Sequence, residues 1–306
     1  MKKFFVKFGL FISVFFLLNL SIVALPENSN DFIHAILDKH KLLQSTKGEK
    51  RLIIAGGSNV AFGVDSKKIE EELGIKTINV SVHAGMGLKY VLDDLDRYVK
   101  KGDIVLLIPE YQMFYDDKFY GGTETIEALR INPENLGSVN PMQINQMLKG
   151  YPLYVRSKIG YTALNLLGVK KFGDIYFRDS FNEYGDLVAH IGQENVQFST
   201  ACPLNKLNTE VFSYIDKVNK KFNDRGATLL VSFPSLDKTA YDTVVPQVEE
   251  IDKTLKEDTE IGLISKSKDY IFGHELFYNS IYHLNGEGRN LRTAKLIYDL
   301  KGSGCF

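Results

Sequence analysis

The chain has 306 residues, of which 44% are hydrophobic and 25% charged, so it is long enough to bury a core and its composition excludes wholesale disorder. The formal net charge of −1 gives no sign of the basic face that nucleic-acid-binding proteins carry, and no nucleic-acid partner is expected. The two cysteines, Cys202 and Cys305, lie far apart without a CxxC pair. This spacing argues against a structural zinc site and leaves one disulfide between them as an open alternative.

Residues 1–25 have the pattern of a membrane anchor or a signal segment. Lysines at positions 2, 3 and 7 precede an apolar stretch from Phe8 to Leu25, which would be about 27 Å long as a helix. Acidic residues follow it, so the positive-inside rule places the remaining chain on the non-cytoplasmic side, in the periplasm or at the cell exterior. Cleavage after Ala24 is the alternative, but the stretch is long for a signal peptide and Ile22 is not small. We favour an uncleaved anchor.

Strands and helices then alternate along the chain. Residues 26–49 are predicted to be a polar linker followed by a lead-in helix over Asp31–Gln44, and the α/β domain is predicted over residues 50–306. Its first half contains three apolar strands separated by two amphipathic helices that end at glycines. In chain order these elements are a strand at Leu52–Ala55, a helix at Ser66–Leu73, a strand at Thr77–Val82, a helix at Leu88–Lys100 and a strand at Ile104–Ile108.

The alternation stops after the third strand and resumes a hundred residues later. Residues 112–207, rich in aromatics and glycines, are predicted to be a partly helical insertion, with most aromatics in a local core. The later elements are predicted as a helix at Asn208–Arg225, a strand at Ala227–Phe233, a helix at Thr243–Lys256, a short fifth strand within Ile261–Leu284 and a helix at Asn290–Leu300. The pattern predicts a three-layer αβα sandwich with a parallel, flavodoxin-like sheet of about five strands.

Unusual residues follow the predicted strands and should meet at one rim of the sheet. Ser58 follows the first strand, Gly85 the second and Glu110 the third, while His283 precedes the last helix. A serine with a histidine to take its proton and backbone amides to bind an oxyanion is the arrangement of nucleophilic acyl transfer. No metal-ligand constellation is present and no cofactor is expected. Arg289 and Arg292 are predicted to lie on a solvated face of the last helix.

Four segments in order, GGSNVAFG, SVHAGMGLKY, GDIVLLIPEY and FYNSIYHLNGEGRNLRT, resemble the SGNH (GDSL-like) hydrolases. The resemblance is to a membrane-anchored bacterial branch of that family associated with cell-surface polysaccharide. It implies that Ser58 is the nucleophile and that His283 is the base. It also implies that the oxyanion is bound by the amides of Gly85 and Ser58, with Asn59 contributing.

Three positions depart from the family pattern. Gly57 replaces the aspartate of Gly-Asp-Ser, and Glu110 stands near the place of the oxyanion-binding asparagine. The aspartate expected three residues before His283 is absent, and Asn279 lies four residues before it. Asn279 can hold an imidazole but cannot stabilise its cation as a carboxylate does. Glu110 or Glu275 as a substitute acid, a Ser-His dyad and an inactive site all remain open.

Two functions follow as expectations. The first is an exported acyl-ester hydrolase or O-acyltransferase that acts on a cell-surface glycan through an acyl-enzyme at Ser58. The second is a catalytically inactive protein of the same fold that binds glycan or supports polysaccharide assembly. The expected partners are an acylated glycan or other ester, the membrane and polysaccharide-assembly proteins.

Overall fold

The computed structural model describes residues 1–25, 29–46, 48–167, 175–257 and 259–306. Part of the predicted linker (26–28) and residues 168–174 of the predicted insertion lie outside the described residues. The strands of the described part are β1 Arg51–Gly56, β2 Lys76–Asn79, β3 Ile104–Ile108, β4 Thr228–Val231, β5 Leu236–Asp237, β6 Gly262–Leu263, β7 Ile271–Phe272, β8 Phe277–Ser280 and β9 His283–Leu284. The α-helices are α1 Lys2–Val23, α2 Ala35–Ser45, α3 Ser58–Gly63, α4 Ser66–Leu73, α5 Leu88–Leu95, α6 Thr123–Ile131, α7 Pro141–Leu166, α8 Glu210–Asp224, α9 Lys238–Tyr241, α10 Val245–Glu257 and α11 Gly286–Gly302.

Five strands form a parallel sheet in the order β2-β1-β3-β4-β6. Helices flank this sheet, and the predicted αβα sandwich with a flavodoxin-like sheet is confirmed. The strands β1 and β3 are buried at every position, because their unbroken apolar runs face helices on both sides. The remaining four strands make two small pairs, β5 with β7 and β8 with β9.

The helices divide between the two faces as right-handed crossovers require. The β1-to-β2 connection runs in one direction across the sheet, while the connections from β2 to β3, β3 to β4 and β4 to β6 run in the other. Helix α4 therefore lies on the face that it shares with α11, with which it packs, and α5, α8 and α10 lie on the opposite face. Between β1 and β3 the strand order reverses direction. The carboxyl ends of these two strands are the place where such sheets bind ligands.

The region between β3 and α8 contains α6 and α7, which pack on each other. Its later part returns to the sheet domain. The Leu187 amide donates to the Ala61 carbonyl, and the Asp186 carboxylate accepts from both the backbone and the hydroxyl of Ser66. The insertion is therefore tied to the first two helices that follow β1.

Several local predictions are corrected. Ser58 was expected in a turn but begins the short helix α3, and β2 and α5 end earlier than their apolar patterns suggest. The expectation of a solvated face for Arg289 and Arg292 is wrong, because both side chains are buried. Burial is possible because α3, the connection from α3 to α4 and the insertion supply oxygen atoms that accept hydrogen bonds from their guanidinium groups. Both cysteines are free thiols.

Candidate active site

The turn that presents Ser58 depends on two glycines after β1. A Cβ atom on Gly56 would lie 2.2 Å from the carbonyl oxygen of Ile108, so only glycine permits β1 to approach the end of β3 this closely. Gly57 is the N-cap of α3, and Ser58 is the first residue of that helix. The hydroxyl of Ser58 consequently stands at the carboxyl end of the sheet, where β1 and β3 meet.

A chain of hydrogen bonds joins Ser58 to the antiparallel pair β8–β9. The Ser58 Oγ lies 2.8 Å from Nε2 of His283, and Nδ1 of His283 lies 2.8 Å from Oδ1 of Asn279. The Asn279 amide nitrogen donates to the hydroxyl of Tyr176 at 2.8 Å. The ring of His283 stacks flat on Phe62 of α3, with ring centroids 4.0 Å apart. The imidazole is thus held on its edge by Asn279 and on its face by Phe62.

These contacts fix where the proton of His283 resides. The Asn279 nitrogen is used by Tyr176, so its oxygen faces Nδ1 and must accept a hydrogen from it. A neutral imidazole that carries its proton on Nδ1 has a free lone pair on Nε2. Nε2 is therefore an acceptor aimed at Ser58, as general-base catalysis requires.

Burial keeps His283 neutral. Burial, with smaller contributions from the nearby rings of His83 and His190, lowers the pKa of His283 to about 3. Asn279 carries no charge that would oppose this effect by stabilising the imidazolium. The base is therefore unprotonated at neutral pH but weak, whereas general bases work best with a pKa near the working pH.

Glu110 is the second group beside the Ser58 hydroxyl. Its Oε1 lies 3.1 Å from Ser58 Oγ and accepts from the Asn59 amide at 3.0 Å, while Oε2 accepts from the Gln112 side chain at 2.7 Å. The carboxylate is 2% exposed. Ser58 has one proton and two acceptors within reach, so Glu110 and His283 compete for it.

Two of the donors expected to bind an oxyanion, Gly85 and Asn59, are occupied. The Gly85 amide donates to Nδ1 of His83 at 3.0 Å. The backbone amide of Asn59 donates to Glu110, and its side-chain amide donates to the carbonyl of Ile108 at 3.2 Å. An oxyanion would gain the Asn59 amide only if the Glu110 carboxylate withdrew. Gly85 and Asn59 thus lie near the serine, but in this conformation their amides donate to protein acceptors.

Glu275, the other acid considered as a partner for the histidine, lies elsewhere. Its carboxylate lies against Gly273, where a Cβ atom would be 2.2 Å from Oε1. Nδ1 of His283 is occupied by Asn279. Glu110 lies on the serine side of the ring, so neither carboxylate takes the position of an orienting acid.

The site opens into a cleft of about 880 Å³. The cleft extends from Ser58 and His283 to Lys149 and Leu153 on α7. Its lining combines both signs of charge with amide side chains, and includes Asp116, Asp117, Lys118, Glu124, Gln112 and Gln146. The lining also includes apolar side chains such as Leu153, Phe198 and Ile281, so the cleft offers a substrate both hydrogen-bonding and apolar contacts. Among the described residues, no group of three or more His, Cys, Asp or Glu side chains is placed to hold a metal ion.

Sequence reasoning missed four residues that shape the site. Phe62 shares a face of α3 with Ser58, a signal that becomes visible only once the short helix is recognised. Gln112 lies two residues after Glu110 and is similarly local. Tyr176 comes from an irregular segment, and Arg292 from a helix whose pattern suggested exposure, so neither gave a usable signal.

Comparison with known proteins adds no relative to this picture. No protein-family model matches the chain, and no curated protein is significantly similar to it.

Proposed function

We propose that the protein is an acyl-ester enzyme of SGNH type, a hydrolase or O-acyltransferase that uses Ser58 as its nucleophile. One observation carries the proposal: the 2.8 Å contact between Ser58 Oγ and Nε2 of His283, with Asn279 accepting from the other ring nitrogen. A serine, its base and a group that orients the base are the three parts of an activated nucleophile.

The geometry supports a two-step reaction. Ser58 Oγ bonds to the acyl carbonyl carbon while its proton passes to Nε2 of His283, and the alcohol departs with that proton as its bond to the carbonyl carbon breaks. In the second step water or a sugar hydroxyl gives a proton to Nε2 and attacks the acyl carbon. Ser58 regains a proton when the acyl-enzyme bond breaks. Hydrolysis and transfer differ only in the acceptor.

Asn279 and Glu110 predict a modest rate. Asn279 keeps the histidine in the reactive tautomer but lacks the negative charge with which a carboxylate stabilises the imidazolium formed during the reaction. The Glu110 carboxylate must also withdraw before an oxyanion can reach the Asn59 amide. Substrate binding that displaces Glu110 would satisfy this requirement.

The substrate class and location are part of the proposal. The resemblance to the polysaccharide-associated branch favours an O-acylated cell-surface glycan, and the charged and amide side chains of the cleft can bind its hydroxyl groups. Helix α1 is long and apolar enough to cross a membrane. Its preceding lysines favour a domain on the non-cytoplasmic side, where polysaccharide-assembly proteins would be its neighbours.

A second candidate is a catalytically inactive protein that binds glycan. The observation that favours it is the contact between Glu110 and Ser58, which places a negative charge where acyl transfer develops one. In this case the cleft is retained for binding, and Ser58 is one of its polar contacts.

The deciding experiment measures aryl acetate hydrolysis by the full-length protein in mild detergent. Ser58→Ala should lower the rate by at least about 100-fold, since it removes the nucleophile. Ser199→Ala, which alters another hydroxyl in the cleft, should leave the rate unchanged. Equal rates for Ser58→Ala and the unaltered protein would remove Ser58 from the mechanism and favour the binding function. Mass analysis of an added glycan would then separate transfer from hydrolysis.

A further inference from the structure

Helix α7 carries an exposed apolar stripe. Ile144, Leu148, Ile159 and Leu166 recur at close to whole numbers of helical turns, and Leu148 is 67% exposed. The buried side of the helix, which includes Tyr154, packs towards the domain. A stripe of this kind on the surface of a protein needs a covering partner.

The partner is indicated by what lies beside the stripe. The hydroxyl of Tyr151 on α7 donates to Oδ1 of Asn19 on α1 at 2.7 Å. The ammonium of Lys158 donates to the carbonyls of Val23 and Leu25 at 2.5 and 2.9 Å, where α1 ends. Helix α1 has no buried residue and is the one described helix suited to span a membrane. These hydrogen bonds between α7 and the anchor lie in the last part of α1 and just beyond its end.

These contacts have the chemistry of a membrane interface. A polar residue such as Asn19 in a spanning helix requires a hydrogen-bond partner, and Tyr151 provides it. Tyrosine and lysine are the residues that mark the boundary between hydrocarbon and water. Arg156 is exposed on α7 near the stripe and can meet lipid phosphate.

We propose that the apolar stripe of α7 lies in the interfacial layer of the lipid bilayer that α1 spans. The proposal rests on retention of α1, which forms part of the proposed function. It makes the membrane contact of this protein continuous from α1 to α7, so the domain is held in one orientation at the lipid surface.

This orientation has a consequence for the substrate. The flank of α7 away from α1 lines the cleft through Gln146, Lys149, Gly150 and Leu153. The same helix thus separates the bilayer from the cleft. The acyl donor or acceptor is then a molecule presented at the membrane surface, such as a lipid-borne glycan, rather than one free in solution.

The test uses the full-length chain in phosphatidylcholine–phosphatidylglycerol liposomes. With Cys202 and Cys305 changed to serine, single cysteines introduced by Leu148→Cys or Ile159→Cys are labelled with an environment-sensitive fluorophore. Lipids that carry a spin label near the headgroup should quench this fluorescence at least about threefold, since an interfacial helix buries its apolar face to that depth.

Two matched positions serve as controls. Ser157→Cys places the label on the opposite flank of α7, and Tyr298→Cys places it on α11, at a side chain that is 77% exposed. Neither should be quenched. Equal quenching at Leu148→Cys and Ser157→Cys would overturn the proposal. It would also be overturned if fluorescence at Leu148→Cys were not quenched by the spin-labelled lipid but changed with protein concentration. That result would identify a second copy of the chain as the partner.

The readout does not depend on catalysis. Repeating the measurement in the Ser58→Ala protein should give the same quenching. An active enzyme without quenching at α7 would refute the membrane contact alone, whereas quenching with an inactive site would refute the proposed reaction alone.

Discussion

A Cβ atom on Gly57 would lie 2.5 Å from Oε1 of Glu110, so the carboxylate of Glu110 fills the space beside residue 57. The SGNH pattern has an aspartate at the first of these positions and an asparagine near the second. In this chain the two departures touch each other. The absence of a side chain at residue 57 therefore leaves the space that the longer acid after β3 occupies.

The coupling predicts a non-additive pair of substitutions. Gly57→Asp alone should lower the free energy of unfolding by more than about 2 kcal/mol, because it forces atoms and like charges together. Glu110→Asn creates room, and the double variant should recover at least about 1 kcal/mol relative to the sum of the single changes. Urea unfolding of the four proteins in mild detergent measures the cycle.

The control for this cycle is Gly137→Asp, since a Cβ atom at Gly137 meets no atom within 4 Å. It should cost little and show no coupling to Glu110→Asn. Additive effects at residues 57 and 110 would mean that the two positions changed independently.

Glu110 also predicts an effect on activity. Glu110→Gln keeps the size of the side chain but removes a negative charge 3.1 Å from Ser58 Oγ. Hydrolysis of an aryl acetate should rise about tenfold, since the competing acceptor and the repulsion of the oxyanion both weaken. Asp117→Asn, which removes a charge farther along the cleft, should have little effect. A tenfold fall for Glu110→Gln would show instead that the carboxylate takes part in the reaction.

Much of the fold could be predicted because its determinants are local. The apolar runs of β1 and β3 and the glycines that end helices define the alternation, and crossover handedness places the helices on both faces of the sheet. The expected meeting of Ser58 and His283 rests on a different rule, that loops at the carboxyl ends of parallel strands share one rim. The short helix α3 was missed because its six residues carry little periodic pattern.

The environment of the site could not be predicted in the same way. The burial of Arg292 depends on Asn59, which is distant in sequence, and the partner of Asn279 is a tyrosine in an irregular segment. The helical spacing of Arg289 and Arg292 says which face they share but not what that face meets. Tertiary contacts of this kind leave no periodic signal.

Asn279→Asp should strengthen the base. A carboxylate at Nδ1 stabilises the imidazolium, so the pKa of His283 should rise from about 3 towards neutrality. In a plot of kcat/KM against pH, the acid limb should move to higher pH with this pKa. At pH 8, kcat should rise at least about tenfold. Asn279→Ala should lower activity instead, since it removes the group that orients the ring. An acid limb that stays in place would exclude Asn279 from control of the histidine.

Buried neutral histidines predict acid sensitivity. Burial lowers the pKa of His190 to about 4 and that of His283 to about 3, below the usual value of 6.5. As pH falls below 6.5 the unfolded chain takes up protons that the folded chain does not, so stability that is present above pH 6.5 is lost towards pH 4. Each histidine should cost about 2 kcal/mol between pH 7 and pH 5.

His190→Leu isolates one of these contributions. Urea unfolding measures how far the free energy of unfolding falls between pH 7 and pH 5. In the variant this fall should be smaller by about 2 kcal/mol than in the unaltered protein, because one titrating group has been removed. An unchanged difference would mean that His190 is not protonated on unfolding in this range.

Arg292 should be a positioning residue for the nucleophile helix. Its guanidinium donates to the carbonyl of Asn59 at 2.7 Å and to the side-chain oxygen of Asn59 at 3.0 Å, next to Ser58. Burial lowers its pKa to about 10, which leaves it charged at neutral pH. Arg292→Met strips two buried oxygens of their donors and should cost about 3 kcal/mol of stability.

The more informative change is Arg292→Lys, which keeps the charge but replaces a planar fork by a single ammonium. It should retain most of the stability yet lower kcat about tenfold, since the first turn of α3 is no longer held at both oxygens of Asn59. Arg97→Met, at a half-exposed arginine, controls for loss of a surface cation. If the fall in kcat for Arg292→Lys were fully explained by a smaller folded fraction, the folded protein would turn over at the normal rate. Arg292 would then stabilise the fold without influencing Ser58.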